Sequence, residues 1–375
     1  MKVALLSFDF GEYCIRLASG LAKYTKTCLL LPSRRAEPHL SRLDPAVEFR
    51  PFAKARLRQP LRQMWMIRDI VREIRQCDPD VIHFQHRHLW FTFALPFLKQ
   101  YPLVITIHNP RNLLGDWNAT RIPQAITDRG YLRADQVIVH ANQLKLDVVG
   151  RLGIPSDAVH VIPHILLGDD AAYNHIQEED NLVLFFGRIW EYKGLEYLIR
   201  AEPLIRANVP DVRFVIAGEG EDFNRYRRMM VHPECYTIYN EYVSHERRAE
   251  LFRRASIVVL PYVDAAQSGV IPIAYRFGKP VVATRVGGLP EMVEDGRTGV
   301  LVPPRDESAL ADAIVRLLRD KRLRHQLGAN GKRKVDSECS PDAVAQATIA
   351  VYHRAIDDRQ SSDAAKRSDK PRSNQ

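Results

Sequence analysis

Residues Ile257–Glu291 read IVVLPYVDAAQSGVIPIAYRFGKPVVATRVGGLPE, and the alternation inside this stretch decides the fold. Ile257 to Leu260 is a short apolar run closed by Pro261, the pattern of a strand buried on both faces of a parallel sheet. Ser268 and Gly269 open a helix-like segment through Phe277, Gly278 ends it, and Pro280 to Ala283 is the next buried strand. The backbone N–H groups of the Gln267-Ser268-Gly269-Val270 turn are then left for an anion, above all a phosphate. Gly287-Gly288-Leu289-Pro290-Glu291 leaves the carboxyl end of the following strand toward the same crevice, where ligands of open α/β sheets bind.

The same alternation extends outward on both sides. In the second half it gives strands at Leu182–Phe186, Arg213–Ala217 and Val300–Val302, with helices at Gly194–Ile205, Arg247–Arg254 and Asp306–Leu318. In the first half strands are expected at Val3–Ser7, Thr27–Leu31, Val81–Phe84, Leu103–Ile107, Gln136–His140 and Val159–Pro163. Helices are expected at Gly11–Tyr24, Arg62–Gln76, Leu89–Lys99, within Arg121–Tyr131, and at Asn142–Leu152. Two doubly wound parallel-sheet α/β domains follow, since 375 residues are too many for one ordinary core. The expected boundaries are 1–165 for the first domain and 166–180 for a polar linker holding Glu178-Glu179-Asp180. The second domain then covers 181–338, a terminal helix 339–356, and a disordered tail 357–375.

A formal charge of +9 favours anionic partners but says nothing of fold. The basic residues are scattered, no aromatic platform is interleaved with them and no recognition motif is present, which argues against nucleic acid. Cys14, Cys28, Cys77, Cys235 and Cys339 are odd in number and lack a CxxC spacing, so a reducing compartment without structural zinc is expected. No apolar run approaches the ~18 residues of a membrane span, and a cytoplasmic protein, peripheral to the inner membrane leaflet at most, is expected.

Phe186-Gly187-Arg188-Ile189-Trp190-Glu191-Tyr192-Lys193-Gly194 joins a strand to a helix at the sheet edge that also carries Ser268 and Gly269. Arg188 offers a fork to a phosphate and Lys193 a movable point charge; the alternative is a solvated loop with two ordinary surface cations. His108, following an apolar strand, is open to two readings, a packed residue or a ligand contact.

With these pieces assembled, FGRIWEYKG, VIAGEGED, the Ile257–Glu291 stretch, DVIHFQ and VITIHN resemble the retaining glycosyltransferases of family four. The resemblance covers the chain to about Ile356. It implies the GT-B architecture, two Rossmann-like domains facing across a cleft. The nucleotide sugar would lie on the second domain and a glycan or lipid-linked acceptor on the first, with the last helix crossing back. It further implies Arg188 and Lys193 at the donor diphosphate and Ser268, Gly269 and Val270 as backbone donors. Gln267, Gly218 and Glu219 belong to the same donor loops, Gly11 to the glycine loop of the first domain, and His108 lies beside the transferred sugar. The expected chemistry is transfer with retention at the anomeric carbon, in polysaccharide or glycolipid synthesis.

One departure stands out: the family's usual Glu-x7-Glu falls on Ala266 and Ala274. A subgroup with a Gln-Ser-Gly-Val loop resembles this pattern, and Glu291 is the nearest acidic candidate for the ribose, unless it only caps its short helix. The two alanines also keep open a nucleotide-sugar binder without turnover. Asp78-Pro79-Asp80 has the Asp-x-Asp form of metal-dependent transferases but precedes a strand, at the end away from the crevice, so no metal or other cofactor is expected.

On a helix from Arg58 to Gln76, Met64, Ile67, Val71 and Ile74 share one face and should be core. Leu61 and Trp65 fall among Arg58, Arg68 and Arg72, which suits an anionic membrane surface or a lipid-linked acceptor. Trp65 packed on a neighbouring loop is the other reading.

Overall fold

The computed structural model describes residues 1–85, 88–110, 124–168, 176–220 and 222–368, with 363–368 as backbone only. Residues 121–123 of the helix expected at 121–131, 169–175 of the expected linker and 369–375 of the expected tail lie outside them. The chain forms two compact units. One combines the described residues before Leu166 with those from Pro341, and the other is Leu166–Ser340.

The first unit is built on strands β1 (Lys2–Ser7), β2 (Lys26–Pro32), β3 (Glu48–Phe52), β4 (Val81–Gln85), β5 (Leu103–Thr106), β6 (Gln136–Val139) and β7 (Val159–Val161). They form a parallel sheet in the order β3-β2-β1-β4-β5-β6-β7. Strand order reverses between β1 and β4, so the chain leaves their carboxyl ends to opposite faces and opens a crevice there. The second unit repeats the plan with β8 (Leu182–Phe186), β9 (Arg213–Ala217), β10 (Tyr236–Tyr239), β11 (Ile257–Leu260), β12 (Val281–Thr284) and β13 (Gly299–Val302), ordered β10-β9-β8-β11-β12-β13. Its switch point is between β8 and β11. Along β8, Val183 and Phe185 enter one core while Leu182 and Leu184 enter the other, the period of two that buries both faces of a parallel sheet.

Several elements differ from the sequence expectation. The helix Pro341–Ser368 continues past Ile356, so residues 357–368, expected to be disordered, are helical. Polar groups of the extension have partners within the first unit: Asp358 accepts from Gln136 at 2.6 Å and Arg359 pairs with Asp135 at 3.5 Å. The start of this helix lies on the helix Gly11–Ala22, where a Cβ on Gly20 would sit 2.4 Å from the Pro341 carbonyl oxygen. Residues 178–180 of the expected linker are bound into the second unit instead. Arg324, 1% exposed on a helix Lys321–Glu338 whose polarity hid it from the apolar pattern, pairs with Glu178 at 3.0 Å and Asp180 at 3.2 Å. Lys279 reaches Glu178 at 2.6 Å. Leaving so many charges unpaired at this depth would be costly, which explains why the acidic run packs.

The helix read as Arg58–Gln76 spans Pro60–Cys77, and its buried face is Gln63, Met66, Ile70, Val71, Ile74 and Cys77. Met64 is therefore exposed and Ile67 half-buried, contrary to the core assignment. The face is rotated because Gln63 is anchored inward, its amide donating to the Ala55 carbonyl at 2.9 Å.

Candidate functional site

In the second unit, three loops gather at the carboxyl end of the sheet around its switch point. Gly187 (φ 114°) lets the chain turn out of β8, and a Cβ on Gly194 (φ 62°) would meet the Pro261 oxygen at 2.0 Å, so only glycine fits between the loops after β8 and β11. Val263 N–H donates to the Tyr192 carbonyl at 2.9 Å and Gly288 N–H to the Ala266 carbonyl at 3.2 Å, fastening the loops after β11 and β12 into the same cluster. Gly218 and Glu219 close the neighbouring edge: Gly187 N–H donates to Ala217 O, and Ile189 N–H to Glu219 O at 3.0 Å.

This frame holds Lys193 in an unusual environment. The side chain is 9% exposed, its Nζ lies 3.6 Å from the centre of the Tyr262 ring and 5.1 Å from that of Tyr192, and no carboxylate pairs with it among the described residues. Burial, with a smaller contribution from the Arg188 charge, pushes its pKa well below the ordinary lysine value. Arg188 is exposed and donates to the Tyr192 hydroxyl at 3.2 Å. Two cations thus converge at the end of the sheet, the buried one without a carboxylate partner among the described residues.

Ser268 is buried; its hydroxyl lies 3.2 Å from that of Tyr262 and accepts from Val270 N–H at 3.3 Å. Gly269 precedes the helix Val270–Arg276, as the sequence suggested. Beside them the Gln267 Oε1 atom is buried without a hydrogen-bond partner among the described residues. A buried acceptor left alone costs about 1–3 kcal/mol, so a ligand donor here would relieve it. Ala266 and Ala274 are buried, whereas Glu291, in the turn of helix Leu289–Met292, is exposed.

The first unit presents a different chemistry at its own switch point. Phe10 holds a left-handed conformation (φ 55°) after β1 and stacks on His108 with ring centres 4.1 Å apart. Gly11 follows because a Cβ would meet the Arg35 carbonyl oxygen at 2.0 Å, a packing reason that needs no ligand. His108 is 1% exposed; its Nε2 lies 2.9 Å from Gln85 Oε1 and its Nδ1 3.0 Å from His140 Nε2. His140 Nδ1 in turn faces the Ile162 carbonyl at 2.9 Å.

Proton counting decides how this chain is wired. His140 Nδ1 must carry a proton to bond Ile162 O, and burial pushes its pKa down to about 3, so its Nε2 is a bare acceptor for His108 Nδ1–H. Beyond His108, the Gln85 amide nitrogen lies 3.1 Å from His83 Nε2 and donates to Thr106 Oγ1 at 3.3 Å. His83 Nε2 is also 2.7 Å from Thr106 Oγ1, and its Nδ1 is 2.6 Å from the Tyr352 hydroxyl. A buried chain of hydrogen bonds thus runs from the C-terminal helix to His108. The sequence gives no signal for His140 and Tyr352, one in an apolar run and the other on a helix with no motif around it; Gln85 stands there only as the last residue of DVIHFQ, and Tyr262 only as a loop residue after Pro261.

Elsewhere, Arg58, Leu61, Trp65, Arg68 and Arg72 are all exposed, and the Arg68 guanidinium lies 4.1 Å from the centre of the Trp65 ring. Asp78 caps a helix in a left-handed conformation and Asp80 accepts from Lys2 N–H at 2.7 Å. The scattered cysteines are less scattered in space: Cys28 and Cys77 approach one another beside Glu48, which Arg50 engages.

Residues 11–165 match the family "Glycosyltransferase Family 4" and residues 180–320 match "Glycosyl transferases group 1". The D-inositol 3-phosphate glycosyltransferase of Pseudarthrobacter chlorophenolicus is 30% identical over 318 residues, 76% of this chain and 74% of that one. The alpha-D-kanosaminyltransferase of Streptomyces kanamyceticus is 26% identical over 77% of this chain and 81% of that one. Among solved structures, Anabaena HepE in complex with UDP-glucose superposes with a TM-score of 0.70 at 18% identity, covering 96% of this chain and 100% of that one, a likeness of fold.

Proposed function

The chain belongs to the family 4 glycosyltransferases and has the two parallel-sheet units of the GT-B fold. On that premise we propose that it moves a sugar from a nucleoside-diphosphate sugar to a hydroxyl of a glycan or lipid-linked acceptor, with retention and without a metal. The observation that carries this reading is buried Lys193, without a carboxylate partner among the described residues, beside Arg188 at the switch point of the second sheet. A diphosphate there would restore the lysine's charge and take the charge balance that a metal supplies elsewhere. That HepE has been seen with UDP-glucose supports the donor class.

In this reading the acceptor oxygen forms the new bond to the anomeric carbon as the bond from that carbon to the leaving phosphate oxygen breaks, on the same face. The acceptor's proton passes to the leaving phosphate. Arg188 and Lys193 stabilise the charge that develops, and the N–H groups of Ser268 and Gly269 add to it, that of Val270 being turned to the Ser268 hydroxyl. Gln267 Oε1, the unsatisfied acceptor, takes a donor hydroxyl in place of the missing carboxylate at Ala266, with Glu291 toward the ribose. His108 holds its loop beside the sugar rather than moving a proton, since both ring nitrogens are already bonded. Polysaccharide or glycolipid synthesis is the setting this chemistry fits.

Thermal stability measured against nucleoside diphosphates and nucleotide sugars, with and without chelator, tests it. A ligand at ~100 times its Kd adds about 2.7 kcal/mol. A shift with one nucleotide that survives chelator is expected, followed by slow hydrolysis of the sugar donor. Binding without any turnover would instead favour the silent binder that Ala266 and Ala274 leave open. No shift at millimolar nucleotide would defeat both readings.

A further inference from the structure

We propose that the face formed by the helices Pro60–Cys77 and Leu89–Ala94 docks the protein onto an anionic lipid bilayer. Leu61, Met64, Trp65, Phe93 and Phe97 are each between 58% and 71% exposed, and they lie on neighbouring elements. Between the elements runs a groove of about 740 Å³ walled by Met64, Ile67, Val71, Trp90, Phe93 and Phe97. Single exposed apolar residues need no cause, but Met64, Phe93 and Phe97 on the walls of one apolar groove, with Leu61 and Trp65 exposed on the same helix as Met64, mark an interaction surface.

Charge decides the partner. Residues 58–77 contain five arginines (58, 62, 68, 72, 75) against two acids (Asp69, Glu73), a local excess of three positive charges. Asp69 pairs with Arg68 at 3.3 Å and Arg72 at 3.4 Å, while Glu73 is engaged by Arg50. Arg75 donates to the Phe97 carbonyl at 2.9 Å and so ties the two elements together. A second hollow of about 700 Å³ beside the longer helix is lined by Lys54, Arg56, Arg62 and Trp65 against one acid, Asp69, with Lys54 also paired with Asp9 at 2.9 Å, so Arg56 and Arg62 are the cations there for an acidic headgroup. A second copy of the chain docking by two-fold symmetry would set this arginine rim against itself. A bilayer instead offers hydrocarbon for the ridge and negative charge for the rim. Among the described residues no helix is long and apolar enough to cross a membrane. The inference does not rest on the sugar-transfer reading.

The test is cosedimentation of the full chain with vesicles of phosphatidylcholine, alone or with phosphatidylglycerol, at low and high salt. Binding to the mixed vesicles only, weakened by salt, is expected. Phe93→Ser with Phe97→Ser should abolish it with an unchanged melting temperature, since both side chains are exposed. Arg68→Gln with Arg72→Gln should weaken it by roughly tenfold or more. No sedimentation with anionic vesicles at low salt would overturn the proposal, as would binding that neither double variant alters. A concentration-dependent dimer that the phenylalanine pair abolishes, without vesicle binding, would overturn it in favour of self-association.

Discussion

The two switch points are built on one topology and filled with opposite chemistry. Around β1 and β4, His108, His140, Gln85, His83 and Tyr352 form a buried chain of hydrogen bonds, although His88 Nε2, on the ring stacked against Phe8, is buried without a partner among the described residues. Around β8 and β11, Lys193, buried beside a second cation, has no carboxylate partner and Gln267 Oε1 no hydrogen-bond partner among the described residues. A satisfied network gives rigidity; an unsatisfied one marks where an anion and a hydroxyl are missing. In the proposed reading the donor chemistry is therefore carried by the second unit.

That contrast predicts a graded set of outcomes. The largest effect should come from the second unit: Arg188→Ala and Lys193→Met should each lower turnover by roughly 10²-fold or more, the scale of losing one preorganised donor, with little change in melting temperature. Near wild-type turnover in both would erase the distinction. In the first unit the order reverses. Tyr352→Phe leaves His83 Nδ1 without its partner and should cost about 1–3 kcal/mol in a denaturant titration while sparing the kinetics of any enzyme that still folds.

The pH dependence sharpens the same contrast. His83 and His140 are pushed down to about 3 by burial, below the ~6.5 of an unfolded chain. Below ~6.5 the unfolded state binds protons that the folded state does not. Stability is thus full above that pH and falls by about 1.4 kcal/mol per pH unit per ring as pH drops toward 3. Acid unfolding that ignores His140→Gln would contradict this. The smallest effect expected is that of Gln267→Ala, a loss of one hydrogen bond worth about 1 kcal/mol, read as a severalfold weaker donor KM.

Much of this was legible in the residues. Strands such as Ile257–Leu260 and Leu182–Phe186 are buried on both faces and announce themselves as apolar runs. The strands β3 and β10 did not, because each is the edge of its sheet, half-exposed, and reads EFRPF or YTIY without a clean run. Arg188, Lys193 and the Gln267–Val270 turn could be placed together because glycines flank them at fixed offsets. Their setting could not: the Tyr262 ring under Lys193 and the orphaned Gln267 oxygen arise from packing between loops distant in sequence. The helix Pro60–Cys77 shows the limit of periodicity, since one inward glutamine turned the whole face and exposed Met64. The helical residues 357–368 show another, because polar side chains with partners in the fold look the same in sequence as solvated ones.

The most direct test is calorimetric titration of a nucleoside diphosphate into the chain in chelator, repeated in buffers of different ionisation enthalpy and with Lys193→Met. Burial holds the lysine pKa down, and a bound diphosphate raises it, so binding should draw a proton from the buffer and weaken as pH rises. Proton uptake in the native chain that disappears in Lys193→Met, along with most of the affinity, is the predicted result. Equal affinity and equal proton uptake in both proteins would contradict the account.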